Sequence, residues 1–153
     1  SGWAQLRQDQ LDGVKADANA ALVTAIDIGE PTDIHPANKN DLGKRLAMAA
    51  QRAPMPMPVD ARQTAAMVTV RFTGVEGGLR ALGGPHALGV ELCGDTQESC
   101  RWAVPVLEGA RMMIAGDGRP VTRVRHAWAD APVVNLYDGR GLPAPGFELK
   151  VMR

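Results

Sequence analysis

The stretch DIGEPTDIH brings Asp27, Glu30, Asp33 and His35 within nine positions. An imidazole titrates near neutrality, so His35 is suited to take a proton from a reacting group and return it. A carboxylate beside such a ring fixes its tautomer and stabilises the imidazolium, and Asp33 lies two residues away. Pro36 stiffens the chain directly after the histidine. The same side chains allow a second chemistry, because three carboxylates and an imidazole are donors for a hard or borderline cation. Their positions match no metal-loop pattern, however, and no second histidine lies nearby, so no metal is assigned. A structural role for all four remains the plain alternative.

A proton acceptor needs a hydroxyl to act on, and the chain offers little. Its two serines are Ser1 and Ser99, and neither lies in a G-x-S-x-G setting. Ser99 sits in a turn beside Cys100, far in kind from the loop of His35. No nucleophile is therefore assigned within the chain. Of the other histidines, His86 beside Gly-Gly-Pro reads as a turn residue. His126 shares a strand face with Val124 and Trp128 and reads as packed. Trp102, Trp128 and Tyr137 are of the type that stacks on sugar rings, although aromatics in a β unit are commonly core or rim. The glycine-rich GVEGG lacks the strand-to-helix setting of a phosphate cradle, so no nucleotide cofactor is expected.

The elements that must hold the loop fall into two compositional classes, 1–54 and 55–153. Trp3, Leu6, Leu11 and Val14 recur at helical spacing near the start. Residues 21–28, ALVTAIDI, form a continuous apolar run, which suits a strand buried on both faces of a parallel sheet. The loop of Asp33 and His35 then leaves that strand's carboxyl end, where ligands gather in open α/β sheets. Asn38 or Asn40 caps a second helix with Leu42, Leu46 and Ala49–Ala50 on its buried side. APMPMP follows, an extended linker that cannot be helical. One doubly buried strand with two helices is only a remnant of an α/β domain, and it needs a sheet supplied from elsewhere.

From residue 55 onward the text is β. MVTVRF alternates with Val68, Val70 and Phe72 on one face. Further strands are expected over 87–92, 102–107, 111–114, 121–128 and 133–137, separated by Gly- and Pro-rich turns. That punctuation fits a small all-β, sandwich-like domain.

Charge narrows the partners. Seventeen basic residues balance seventeen acidic ones, without a basic run. Nucleic acid, which selects a positive footprint, is not an expected partner. No apolar stretch reaches the about 18 to 20 residues that span a bilayer, so no membrane partner is expected either. Cys93 and Cys100 have six residues between them, including the turn-forming Gly94–Asp95. Opposed hairpin strands can bring the sulfurs together, but pairing them sets Leu92 against Arg101, an awkward match of faces. Bond and free thiols both stay open; the bond implies an exported protein, periplasmic or secreted.

The segment LVTAIDIGEPTDIHPANKNDLGKRLAMAA resembles sialate O-acetylesterases and related carbohydrate acetylesterases of the SGNH hydrolase superfamily. Those proteins show a strand, D-x-G, a short loop, D-I-H-P-x-N-K, and a helix with R-L-A. WAQLRQDQ is similar to the helix that precedes this block, and VRHAWADAPVVNLYDGRGLPAPGF is similar to the family's closing stretch. The resemblance spans nearly the whole chain. It implies that 1–54 is the C-terminal segment of a flavodoxin-like, three-layer SGNH hydrolase domain, and that 55–153 is a sandwich-like accessory domain. It also implies a serine esterase acting on O-acetyl groups of sialic acid or other glycans. His35 is then the general base and Asp33 its orienting carboxylate, with the acid one residue closer than the superfamily's Asp-x-x-His. Because the serine and oxyanion blocks have no counterpart here, the expected partners are an N-terminal serine-bearing polypeptide of the same protein and an acetylated carbohydrate. No cofactor is implied. The alternative is a non-catalytic carbohydrate-binding or accessory module.

Overall fold

The computed structural model describes residues 2–153. Helix α1 (Gly2–Ala16) and helix α2 (Lys39–Ala50) come first, joined by the irregular segment 17–38. Strands β1 (Met57–Thr64) and β2 (Met67–Thr73) form a hairpin that closes with Thr64 opposite Met67. After the two-residue β3 (Arg80–Ala81) come β4 (Val90–Cys93) and β5 (Arg101–Trp102). A second hairpin joins β6 (Pro105–Glu108) to β7 (Arg111–Ala115). Gly109 takes φ of 56° in its tight loop, a left-handed conformation that glycine adopts without strain. The last strands are β8 (Arg123–His126), β9 (Leu136–Tyr137) and β10 (Phe147–Met152).

Eight strands form one curled sheet in the order β5-β4-β8-β10-β1-β2-β7-β6, a β-sandwich or half-barrel, and β3 pairs with β9 apart from it. At its centre β10 runs parallel to β1, with Val151 beside Ala61; the other pairings in the sheet are antiparallel. The alternation in β2 buries Val68, Val70 and Phe72 as its sequence pattern requires. Met112 and Ile114 of β7 and Val124 of β8 join the same core. Phe72 and Phe147 meet edge-on at 5.8 Å between ring centres, a contact worth about 1 kcal/mol beyond area burial.

This architecture corrects the expected fold class. Among the described residues, 1–54 contain no strand beyond an isolated bridge between Glu30 and Asp33. The chain is mostly β with two helices, and it is not an α/β, flavodoxin-like, three-layer SGNH remnant. The apolar run 21–28 has no neighbouring strand to complete its backbone, so it turns on itself. The amides of Ile28 and Gly29 both donate to Ala25 O at 3.1 Å, and Ile26 N donates to Thr24 Oγ1 at 3.3 Å. Its side chains are half-buried, with Leu22, Val23 and Thr24 sharing a small cavity with Met57 and Pro143.

The helices exist where their periodicity places them, but their inward faces match it only in part, with Leu11 buried and Val14, Leu42 and Ala49 half-buried. In α1 the buried residues are Ala4, Gln8 and Leu11, whereas Trp3 and Leu6 are exposed. In α2 Arg45 is buried and Leu46 is exposed. The all-β character expected after residue 55 is what the sheet displays, although its central pair, β1 and β10, lies outside the expected strands. The linker reading of APMPMP gives way at Met57 and Pro58, which begin β1.

The disulfide question also closes. Cys93 and Cys100 are bonded, and the flanking register sets Leu92 opposite Arg101. The mismatch resolves because the Arg101 guanidinium pairs with Asp117, at 2.7 and 2.6 Å, and donates to Leu92 O at 3.1 Å.

Candidate functional site

The loop bearing His35 is built by its own carboxylates. Asp33 Oδ1 accepts from the backbone N–H of His35 at 2.7 Å, and Asp33 N donates to Glu30 O at 3.3 Å. Glu30 Oε1 accepts from Ala37 N at 3.2 Å, beyond the histidine. Lys39 Nζ donates to Pro36 O at 2.6 Å, and Asn38 Oδ1 caps α2 by accepting from Asp41 N at 3.2 Å. Such side-chain-to-backbone bonds are what Asp and Asn provide where the chain turns sharply. His35 is exposed, in the bend that follows this braced turn. Beside it Ile34 is 81% exposed.

Below the loop lies a buried ion pair. Arg45, from α2, donates through Nη1 to Asp27 Oδ1 at 2.6 Å and through Nη2 to Asp27 Oδ2 at 2.7 Å. Nη1 also donates to Thr24 O at 2.9 Å. The Tyr137 hydroxyl, from β9, donates to Asp27 Oδ2 at 3.2 Å. Hydrogen bonding to Asp27 raises Arg45 above its ordinary value, and burial followed by the Asp27 charge pushes the Tyr137 phenol up. Both therefore stay donors at neutral pH. The clamp brackets the His35 loop, since Asp27 precedes it and Arg45 follows it in the chain. It also ties the N-terminal residues to the β unit.

Two further residues, Arg140 and Gln8, add to that tie. Arg140 reaches Pro54 O at 2.9 Å, Gly74 O at 2.8 Å and the buried Asp138. On the other side Gln8 Oε1 of α1 accepts from Glu148 N of β10 at 2.7 Å.

Of the residues singled out from the sequence, Asp33 and His35 are brought together, but through the main chain of His35 and not through its ring. Asp27 and Glu30 do structural work, the first in the clamp and the second across the turn. Asp27, saturated by Arg45 and Tyr137, is removed from any ligand set that a metal would need. His126 is fully buried, with Nδ1 against Pro145 O at 3.2 Å and its ring 5.7 Å from Phe147. His86 is exposed and bonds through Nδ1 to Pro105 O at 3.3 Å. Arg45 was not singled out, and Tyr137 was named only among the sugar-stacking aromatics, not as a partner of Asp27. An arginine on the inward side of a helix that follows an acid-bearing loop was the available signal for the first. For Tyr137 there was none, because it lies 110 positions from Asp27.

No protein-family model and no curated protein matches the chain. Among solved structures it is similar to a carbohydrate acetylesterase from Xanthomonas citri, with a TM-score of 0.85 and 30% identity. The likeness covers 97% of this chain and 36% of that one. The chain thus spans about a third of its neighbour's length, and the likeness relates it to a carbohydrate esterase across both the helical start and the sheet.

Proposed function

We propose that this chain supplies the general base of a carbohydrate O-acetylesterase of the SGNH type, whose serine lies on a polypeptide segment outside these residues. One observation carries the reading: His35 stands exposed in a bend that Asp33, Glu30 and Lys39 brace from both sides. A histidine that only filled space would be buried against neighbours, as His126 is. A base must instead be rigid in its backbone and open at its ring. The likeness to a carbohydrate acetylesterase over nearly the whole chain supports the same assignment.

In this reading the serine hydroxyl attacks the acetyl carbonyl while His35 takes its proton. His35 then returns that proton to the departing sugar oxygen, and a water molecule, activated by the same imidazole, releases acetate. Asp33 holds the histidine's main chain through Oδ1, and its second oxygen would serve the ring N–H that fixes the tautomer. Residues 1–54 belong with the hydrolase site, and 55–153 form the accessory unit that anchors it through Tyr137 and Arg140. The substrate is an O-acetylated sugar, sialic acid or another glycan, and the disulfide suits a periplasmic or secreted setting. Trp3, Leu6 and Leu46, exposed on helices α1 and α2, suit cover by the serine-bearing segment.

The test is acetate release from an acetylated sugar by the serine-containing polypeptide joined to this chain. His35→Ala should lower kcat by about 10⁴-fold, as loss of the acid–base partner does in acyl transfer. Near-normal turnover in that variant, with the fold intact, overturns the proposal.

A further inference from the structure

A second feature lies on the sheet's outer face, at the opposite kind of site from the His35 loop. Trp102, on the edge strand β5, is 75% exposed. Directly across from it on β4 is Glu91, and across from Glu91 on β8 is Arg125. Residues paired this way point to the same face, about 5 Å apart at Cβ. Trp102, Glu91 and Arg125 therefore form one cross-strand row.

Arg125 is engaged by three neighbours of that row. Its Nε donates to Glu148 Oε2 at 2.5 Å, its Nη1 lies 3.2 Å from Cys100 Sγ, and its guanidinium sits over Trp128 at 4.7 Å. Glu91 has no hydrogen bond or salt bridge among the described residues. It is half-buried, and burial raises its carboxyl in spite of the Arg125 charge. Its carboxylate oxygens still reach water, so an acceptor that no protein donor meets lies beside an indole left in water, and the pair sets two requirements for a ligand. Large aromatics ordinarily find cover.

We propose that Trp102 and Glu91 form a binding site for a neutral pyranose, with the indole against the ring's C–H face and the carboxylate accepting from its hydroxyls. A pyranose carries an apolar face bordered by uncharged donors, which answers both requirements together. Arg123 and Arg125, paired with Glu148, balance the charges of Glu148 and Glu91, so the patch carries no net charge and suits a neutral ring. The site needs no acetyl group and no serine, and it stands whether or not His35 is a catalytic base.

The experiment is a titration of the chain with β-1,4-xylotetraose and with β-1,4-cellotetraose, followed through the Trp102 indole N–H resonance. N-acetylneuraminic acid and a β-strand-forming peptide are run in parallel arms. A saturable shift with at least one neutral oligosaccharide is expected, weakened at least about tenfold in Trp102→Ala and about tenfold in Glu91→Gln. Either variant alters a surface position, so folding is checked by the unchanged resonances of the core. Four outcomes overturn the proposal: no saturable shift with either neutral sugar, equal binding of the anionic sugar, full affinity in Trp102→Ala, or response to the peptide alone, which would make β5 an edge for strand addition.

Discussion

Replacing Arg45 by methionine probes the clamp beneath the His35 loop. The guanidinium and the Asp27 carboxylate are 11% and 7% exposed, so the pair is shielded from water. Arg45→Met leaves Asp27 with one donor, the Tyr137 hydroxyl at 3.2 Å, and strips Thr24 O of its partner. Breaking one side of a buried pair costs about 3 to 5 kcal/mol. The surviving tyrosine bond places this case near the lower end, about 3 kcal/mol. In a domain of this size that lowers the melting temperature by about 6 to 12 °C. Urea denaturation should show an earlier midpoint with an unchanged slope. Adding Asp27→Asn removes the stranded charge and should restore about half of the loss, because an amide can still pair with Tyr137. A cost below about 1 kcal/mol for Arg45→Met would show a pair that behaves as a solvated surface bridge, and the bracing account would fail.

Two further expectations concern the β unit. Replacing both Cys93 and Cys100 by alanine opens the short loop they close, spanning seven positions; the chain-entropy cost is about 2.5 kcal/mol, read as a drop of about 5 to 10 °C in thermal melting. An unchanged melting curve would contradict it. His126 is held down to about 4, first by burial, against an ordinary 6.5. The unfolded chain takes up the proton near 6.5 and the folded one only near 4, so stability is complete above 6.5. It falls by about 3 kcal/mol as pH drops to 4. His126→Asn, which keeps a donor for Pro145 O, should flatten that part of the pH–stability curve, and an equal slope in the variant would refute the assignment.

Some elements were legible from residue types alone. β2 follows directly from the alternation in MVTVRF, since one face meets the core and the other does not. β1 did not announce itself: MPVDARQT carries charges at Asp60 and Arg62 and buries only Pro58 and Ala61. Its proline is tolerated because the ladder slips between Pro58 and Asp60, where no amide is needed. β10 has a clear period of two in FELKVM, but the Pro- and Gly-rich GLPAPG in front of it masks the strand. The run 21–28 shows the ambiguity of short apolar segments. Apolar content alone cannot separate a doubly buried strand from irregular chain packed on a sheet.

At the site, the clustering of acids with His35 drew attention to the loop, while the division of labour among its acids needed coordinates. Asp33 and Glu30 both secure backbone amides, which no spacing argument could assign. The inward face of α2 centres on Arg45 meeting Asp27, with Leu42 and Ala49 half-buried beside it, so the apolar period found the face in part and misplaced Leu46 and Ala50.

The central claim is that His35 activates a serine hydroxyl from outside residues 1–153. Labelling with a fluorophosphonate, followed by peptide mass spectrometry, measures that activation directly on this chain joined to the serine-containing polypeptide that the proposal requires. One serine outside this chain should take the label stoichiometrically, and His35→Ala should abolish the reaction while the protein remains folded. Labelling at the same rate with and without the imidazole would contradict the account.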